Sequence, residues 1–197
     1  MGESLLLTGP SRGVIFRRDA YFEINLKIKE DEDSKDRQFS KTLVDVGFAN
    51  TKSLVTRETV VSWLSEVDLI FAYVKKALEG TIEISVFSGP QAFNGKITVR
   101  TTDVPNHILL YDSDTDGTNR LGDNRVIQLL RRVVSVSVDQ MLKFNIYARS
   151  GDQNVTVSHR SCDFTPLIKG ADRKEITCGA YKLGIKVNWS TLIMRQG

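Results

Sequence analysis

Apolar and polar residues alternate along several separate stretches of the chain. The clearest of these stretches are residues 21–29, 81–87, 142–149 and 182–189. In the second stretch, Ile82, Ile84 and Val86 fall on one side of an extended chain and Glu83 on the other. Because successive side chains of a strand point to opposite faces, this period of two predicts strands with one buried face.

Further short strands are predicted between residues that favour turns. They cover residues 42–46, 96–101, 107–111, 126–130, 133–138, 155–158 and 174–178. Turn signals lie at Gly89-Pro90, Asn94-Gly95, Asp116-Gly117 and Gly151-Asp152. About ten strands at short spacing, with no long helix for parallel crossovers, predict an all-β fold. We expect residues 1–197 to form a single domain, an antiparallel two-layer β-sandwich.

One segment, residues 59–79, fits two patterns. Apolar residues at helical spacing are Val60, Leu64, Val67, Phe71, Val74 and Leu78, and Gly80 follows where a helix would end. A competing strand pattern puts Leu69, Phe71 and Tyr73 on one face and Ile70, Ala72 and Val74 on the other. The β-branched and aromatic content favours two strands, with one helix near residues 59–79 as the alternative.

The charge of the chain is nearly balanced. The 197 residues include 27 Lys and Arg and 24 Asp and Glu, for a formal net charge of +3. Proteins that bind a nucleic-acid duplex concentrate positive charge to neutralise phosphates, so no nucleic-acid partner is expected. No stretch approaches the ~20 apolar residues of a membrane span, and no signal-peptide pattern is evident. We therefore expect a cytoplasmic protein, or one that is also nuclear.

The residues available for catalysis are few. The only histidines are His107 and His159, and neither accompanies a pattern typical of an activated nucleophile. The only cysteines, Cys162 and Cys178, lack further ligands at zinc spacing, so reduced thiols are the favoured interpretation and a disulfide is the alternative. No catalytic residue is assigned, and the chain is not expected to be an enzyme.

An Asp-rich stretch provides the one candidate metal site. Asp112, Asp114 and Asp116 alternate before Gly117, and Asp123 follows at the position of the last calcium ligand. Asp123 is shorter than the bidentate Glu usually found there, and strands rather than helices are expected on both sides. The same residue types also suit a solvated turn without metal. Calcium is thus one interpretation, and no other cofactor is expected.

Several blocks of the chain resemble a known family. They are LLLTGPSRG at residues 5–13, YFEINLKIK at 21–29, VKKALEGTI at 74–82, LYDS at 110–113, EITCG at 175–179 and VNWS at 187–190. These blocks resemble DUF6598, a plant domain of unknown function that is abundant in grasses. The resemblance implies a domain that occurs alone or fused to the ribosome-inactivating glycosidase of jasmonate-induced proteins.

The resemblance implies a role in plant stress or defence rather than a reaction. The Glu-Ala-Ala-Arg motif of the glycosidases is missing from this sequence, so their activity is not carried over. Recognition of an mRNA cap would require two aromatic rings such as Trp63 and Trp189 to converge, whereas Trp189 is expected in the core.

Three functional hypotheses remain. The first is a non-catalytic protein-binding or regulatory module that offers a loop end or a sheet edge to another, unidentified protein. The second is a calcium-dependent membrane or ligand binder that uses residues 112–123. The third is an accessory domain of a translation-inhibiting toxin.

Overall fold

Antiparallel strands make up most of the residues that the structure describes. The structure, a computed structural model, describes residues 5, 9, 12–15, 20–29, 36–46, 55–62, 65–116, 124–150 and 156–192. Within these residues the strands are β1 (Ala20–Ile28), β2 (Arg37–Val46), β3 (Thr56–Val61), β4 (Glu66–Phe71), β5 (Ala77–Ser88), β6 (Gly95–Thr101), β7 (Ile108–Asp112), β8 (Val133–Ser137), β9 (Leu142–Ser150), β10 (Thr156–Phe164), β11 (Gly170–Cys178) and β12 (Tyr181–Thr191). A four-residue helix, α1 (Ser113–Asp116), follows β7. The all-β prediction is confirmed.

The chain divides into two compact units. We call residues 1–14 together with 74–197 the sandwich unit, and residues 15–73 the hairpin unit. The prediction that residues 1–197 form a single domain stays a prediction.

The sandwich unit contains two four-stranded sheets. The first sheet has the strand order β10-β9-β6-β7, and the second has the order β11-β12-β5-β8. Their inner faces contribute to one apolar core, with Phe144 and Ile146 from the first sheet and Ile84 and Ile185 from the second. These four side chains are at most 1% exposed. The two-residue period of the sequence therefore accounts directly for a two-layer sandwich.

The predicted strand at residues 126–130 does not form. This segment makes only an isolated bridge between Ser85 and Val126, and Ile127 donates its N–H to the carbonyl of Ile84 at 2.9 Å. It runs beside β5, whose twelve residues extend past the five residues of β8. The part of β5 beyond β8 therefore forms single hydrogen bonds with residues 125–127 instead of a continuous ladder.

The outermost strands β10 and β11 are longer than predicted. Each has nine residues, whereas the sequence suggested only residues 155–158 and 174–178. Two of the predicted turn glycines are confirmed by their backbone, because Gly89 and Gly95 have φ values of 119° and 157°. The turns at Asp116-Gly117 and Gly151-Asp152 fall at least partly outside the described residues.

The hairpin unit consists of two antiparallel pairs, β1 with β2 and β3 with β4. The second pair settles the ambiguity at residues 59–79, where two strands form and the helix does not. Phe22 of β1 and Phe71 of β4 stack with ring centroids 6.0 Å apart. Their side chains are half-buried.

Candidate functional site

The Asp-rich stretch brings two described carboxylates next to basic side chains. Asp112 lies at the end of β7, where its Oδ2 is 3.0 Å from Nζ of Lys96. Asp114 lies in α1, and both of its carboxylate oxygens accept hydrogen bonds of 2.6 Å from Arg149. The Arg149 guanidinium lowers the pKa of the Asp114 carboxyl, because these bonds favour its charged form.

The other two residues of the predicted calcium site are Asp116 and Asp123. Asp116 ends α1, and Asp123 lies outside the described residues. In the part of the chain that the structure describes, no group of three or more His, Cys, Asp or Glu side chains is arranged to hold a metal ion. The calcium site therefore stays a prediction, in which a cation would compete with Lys96 and Arg149.

Both histidines contact side chains of a neighbouring strand. Nδ1 of His107 is 3.1 Å from Oγ1 of Thr98. His159 stacks on Tyr147 with ring centroids 4.5 Å apart, and its Nε2 is 3.4 Å from Oδ1 of Asn145. Within the described ranges, neither imidazole hydrogen-bonds to a carboxylate or a thiol. These contacts assign no proton-transfer role to either ring.

Both cysteines are free thiols. Sγ of Cys178 is buried and donates to the carbonyl of Ser158 at 3.3 Å. Burial raises the pKa of Cys178, and burial raises that of Cys162 to about 11. Both groups are therefore protonated at neutral pH, which makes them poor nucleophiles.

One edge strand of the first sheet is β10. The hydrogen-bond pattern of the sheet shows which backbone groups of β10 point away from it. Arg149 of β9 donates its backbone N–H to the carbonyl of Asn94, so Arg149 faces β6. Antiparallel strands turn the backbone groups of successive residues to opposite sides. The β9 residues that face β10 are therefore those in the alternate set, which includes Phe144, Ile146 and Ala148.

The same alternation divides β10 into two sets of residues. The partners of Phe144, Ile146 and Ala148 in the register are Cys162, Arg160 and Ser158, whose backbone groups therefore bond to β9. The intervening residues point their N–H and C=O groups away from the sheet. They are Val157, His159, Ser161 and Asp163. Among the described strands, none pairs with this side of β10.

The second sheet has an equivalent free edge at β11. Ile82 and Val86 of β5 donate their N–H groups to the carbonyls of Arg132 and Arg125, on the side away from β12. Backbone groups of successive residues point to opposite sides, and the registers carry this alternation from β5 through β12 to β11. The backbone groups of four β11 residues therefore point away from β12. They are Ala171, Arg173, Glu175 and Thr177.

The two free edges lie on the same side of the sandwich unit. Nζ of Lys174 in β11 donates to the carbonyl of Asp163 in β10 at 2.6 Å. At the other end of the strands, the Cys178 thiol reaches the carbonyl of Ser158. We call the outward side of β10, together with Arg160 and Lys174, the β10 edge.

Two cations cover outward carbonyl groups of the β10 edge. Arg160 donates from Nη1 to the carbonyl of His159 at 2.9 Å, and Lys174 donates to that of Asp163. Lys174 also lies over the Phe164 ring, 5.3 Å from its centroid. Neither cation is in an ion pair with a described carboxylate. The β10 edge thus has no partner strand among the described residues, and two cations lie against its carbonyls.

Sequence reasoning did not find this edge. In β10, Arg160 and Cys162 occupy the face on which an apolar row would be expected, so apolar and polar residues do not alternate. Charged residues on both faces are typical of edge strands, and they were the only signal available in the sequence.

The comparisons with known proteins show a family and a distant structural similarity. The model of the family described as "Domain of unknown function (DUF6598)" matches residues 1–187. No curated protein matches the chain. A solved structure titled "Structure of a C2 domain" is similar with 10% sequence identity and a TM-score of 0.34, over 58% of this chain and 98% of that chain. A similarity of this size carries no argument about function.

The described residues contain no helix with the length and apolar character needed to cross a bilayer.

Proposed function

The chain belongs to the DUF6598 family, and we propose that it is a non-catalytic protein-binding module whose contact surface is the β10 edge. The observation that carries this proposal is the row of outward backbone groups on β10 that no described strand pairs with. Outward N–H and C=O groups of an edge strand can form a ladder with an extended segment of another protein.

The strand β10 is held along its whole length by its neighbour β9. All nine residues of β10 pair with β9, and Phe164 at its end is 0% exposed. Phe164 also packs edge-on against Phe144, with ring centroids 5.4 Å apart. A strand fixed in this way presents its free groups in one geometry, which lowers the entropy lost on binding.

The biological setting is proposed from the family resemblance. We propose a role in plant stress or defence, in the cytoplasm or nucleus, either as a separate protein or as an accessory domain of a translation-inhibiting toxin. Trp189 is 3% exposed and belongs to the core, while Trp63 lies outside the described residues. Induction of the transcript by jasmonate in leaf tissue, with a fluorescent fusion to locate the protein, tests this setting.

The proposed binding function is tested by affinity capture with a matched edge variant. Ser161→Pro removes an outward N–H while leaving the bonds between β10 and β9 in place, since proline is tolerated where an edge N–H faces solvent. We expect the native chain to capture a protein from plant extract that binds again when both are purified. Ser161→Pro is expected to lose that binding while melting at a similar temperature.

Two results would contradict the proposal. One is a purified partner that binds native and Ser161→Pro chains equally, which would place the contact elsewhere. The other is the absence of any protein that reproducibly binds the native chain and not an unrelated β-sandwich.

Calcium-dependent binding is the second proposal, because Asp112 and Asp114 both lie at the end of β7 where it runs into α1. A specific site would stabilise the fold as calcium concentration rises, while a solvated turn would not respond. Thermal melting with increasing calcium tests this, with Asp114→Asn as the variant that should lose the response. An unchanged melting temperature in the native chain would remove this proposal.

A further inference from the structure

We infer that the β10 edge selects an acidic extended peptide, because Arg160 and Lys174 cover the carbonyl groups that an added strand must use. This inference rests on the proposed binding function and names the chemistry of the partner.

The two covered carbonyls belong to the same row. His159 and Asp163 both point outward and are four residues apart, which corresponds to about 13 Å along a strand. An antiparallel or parallel segment laid beside β10 would meet both carbonyls along one side. Arg160 and Lys174 therefore occupy two positions of the ladder that such a segment would form.

Arg160 and Lys174 make the β10 edge selective for the charge of the segment that binds to it. A neutral segment would have to displace Arg160 and Lys174 without offering either of them a charged acceptor. An acidic segment would replace each backbone carbonyl with a carboxylate. Each cation would then face an opposite charge, and this Coulomb attraction is not available from a neutral carbonyl, so the exchange favours the acidic segment.

The acids of β10 and β11 leave these cations available. Their contacts are an ion pair of Asp163 with Lys143 at 3.0 Å, an ion pair of Glu175 with Lys182 at 2.8 Å, and a bond from the N–H of Arg173 to Asp172 at 2.7 Å. Arg160 and Lys174 have only backbone acceptors among the described residues. An incoming carboxylate would therefore not have to break an existing ion pair of either cation.

Charge is also distributed in favour of an acidic partner. Residues 142–191, which include β9 to β12, contain eight Lys and Arg against four Asp and Glu. The rest of the chain contains 19 Lys and Arg against 20 Asp and Glu, so the positive excess lies in this segment.

An anionic membrane would also be attracted, but it cannot form a ladder with backbone groups. The unpaired row on β10 therefore favours a peptide.

Fluorescence anisotropy with three labelled octapeptides tests the inference. The peptides are an alternating Glu-Val sequence, its Gln-Val counterpart, and an N-methylated Glu-Val sequence that keeps the charge but has no backbone N–H donor. We expect the native chain to bind the Glu-Val peptide about tenfold more tightly than the Gln-Val peptide, since close charge pairs contribute on that scale. The N-methylated peptide is expected to bind weakly.

Variants of the two cations separate selectivity from binding. Arg160→Ala with Lys174→Ala is expected to bind Glu-Val and Gln-Val peptides equally, because the carbonyls are then uncovered. Arg132→Glu, which precedes β8 at the opposite edge of the second sheet, is the control and should keep the native preference. Each variant is first checked for native melting behaviour, and Gln in place of Ala is used at either position if the Ala variant does not fold.

Several results would overturn the inference. They are equal binding of the Glu-Val and Gln-Val peptides by the native chain, no binding of either peptide, unchanged preference in the double variant, and binding of the N-methylated peptide as tight as that of the Glu-Val peptide. Phosphatidylserine vesicles that bind the native chain more tightly than the Glu-Val peptide, with the same dependence on Arg160 and Lys174, would assign the surface to membranes instead. A natural partner that is lost with Ser161→Pro but retained by the double variant would leave the proposed function intact and remove only the acidic selectivity.

Discussion

The sandwich unit and the hairpin unit use the same strand pattern with different results. In the sandwich unit, inward residues such as Ile97, Phe144 and Leu183 are 0% exposed. In the described part of the hairpin unit, only Ser40, Val44 and Val46 are buried, and the other inward residues are half-buried. Two facing four-stranded sheets can enclose whole rows of side chains. A two-stranded sheet has no central strand, so both of its strands keep an edge.

The hairpin unit depends more on polar side chains than the sandwich unit does. The side-chain amide of Gln38 donates to the carbonyls of Leu26 at 2.9 Å and Ser40 at 2.8 Å, beside a register shift in the β1–β2 pair. In the β3–β4 pair, Arg57 and Thr59 both donate to Asp68. Exposed polar contacts of this kind contribute little each, so we expect the hairpin unit to open more readily than the sandwich unit.

The largest expected effect is in the core of the sandwich unit. Phe144→Ala removes a side chain that is 0% exposed and that packs on Phe164. Replacing a buried Phe by Ala leaves a cavity and lowers the free energy of unfolding by about 3–5 kcal/mol. Urea denaturation followed by tryptophan fluorescence measures this change. A loss below about 1 kcal/mol would contradict the close packing of the two sheets.

A smaller effect is expected at a buried polar contact of the same unit. Glu79 of β5 is 3% exposed, and its carboxylate accepts bonds from the N–H of Gly13 at 2.6 Å and from Arg12 at 3.0 Å. Glu79→Gln keeps the shape but replaces one acceptor oxygen by a donor, which lowers the free energy of unfolding by about 1–3 kcal/mol.

The control for Glu79 lies on the same strand and the same face. Glu83 is exposed, and Glu83→Gln should change the free energy of unfolding by less than about 0.5 kcal/mol. Equal effects of the two substitutions in urea denaturation would mean that Glu79 does not hold residues 12–13 in place.

A strand was easier to predict from the sequence when one of its faces is fully buried and the other is polar. Ile82, Ile84 and Val86 alternate with polar residues because β5 lies inside a sheet with one buried face, and their strand was predicted. At residues 69–74, apolar residues occupy both faces of an extended chain, so period alone left a helix open. In β10 and β11, inward positions hold Arg160 and Lys174, which lie at the margin of the core and can reach solvent. The strands were therefore predicted too short, and the candidate site was missed.

The hairpin unit should respond more weakly to loss of an aromatic side chain. Phe71 is half-buried and stacks on Phe22. Phe71→Ala is expected to lower local stability by about 1 kcal/mol, because less apolar area is lost than at Phe144. Amide hydrogen exchange measures this as faster exchange in β3 and β4 with little change in β9. An equal change in both units would show that they open together.

The smallest expected effect is a pH dependence confined to the hairpin unit. Hydrogen bonds from Arg57 and Thr59 lower the pKa of Asp68 from 3.8 to about 2. A carboxyl whose pKa is lower in the folded state stabilises that state above the unfolded pKa and loses this contribution as pH falls through the folded value. The β3–β4 pair should therefore weaken between pH 3.8 and about 2.

Protection factors of the β3 and β4 amides across that pH range measure the effect. Asp68→Asn serves as the control, since it removes the titrating group and should make the response nearly flat. An NMR titration that gives Asp68 an ordinary pKa would contradict the assigned bonds.

The central claim is that β10 pairs with a strand on one side only and leaves alternate N–H groups without a strand partner on the other. Residue-resolved amide hydrogen exchange of the native chain, free of any partner, tests it most directly. The amides of Ser158, Arg160 and Cys162 should exchange slowly, and those of Val157, His159 and Ser161 should exchange fast. Uniform slow exchange along β10 would mean that its outer side is already paired and would contradict the claim.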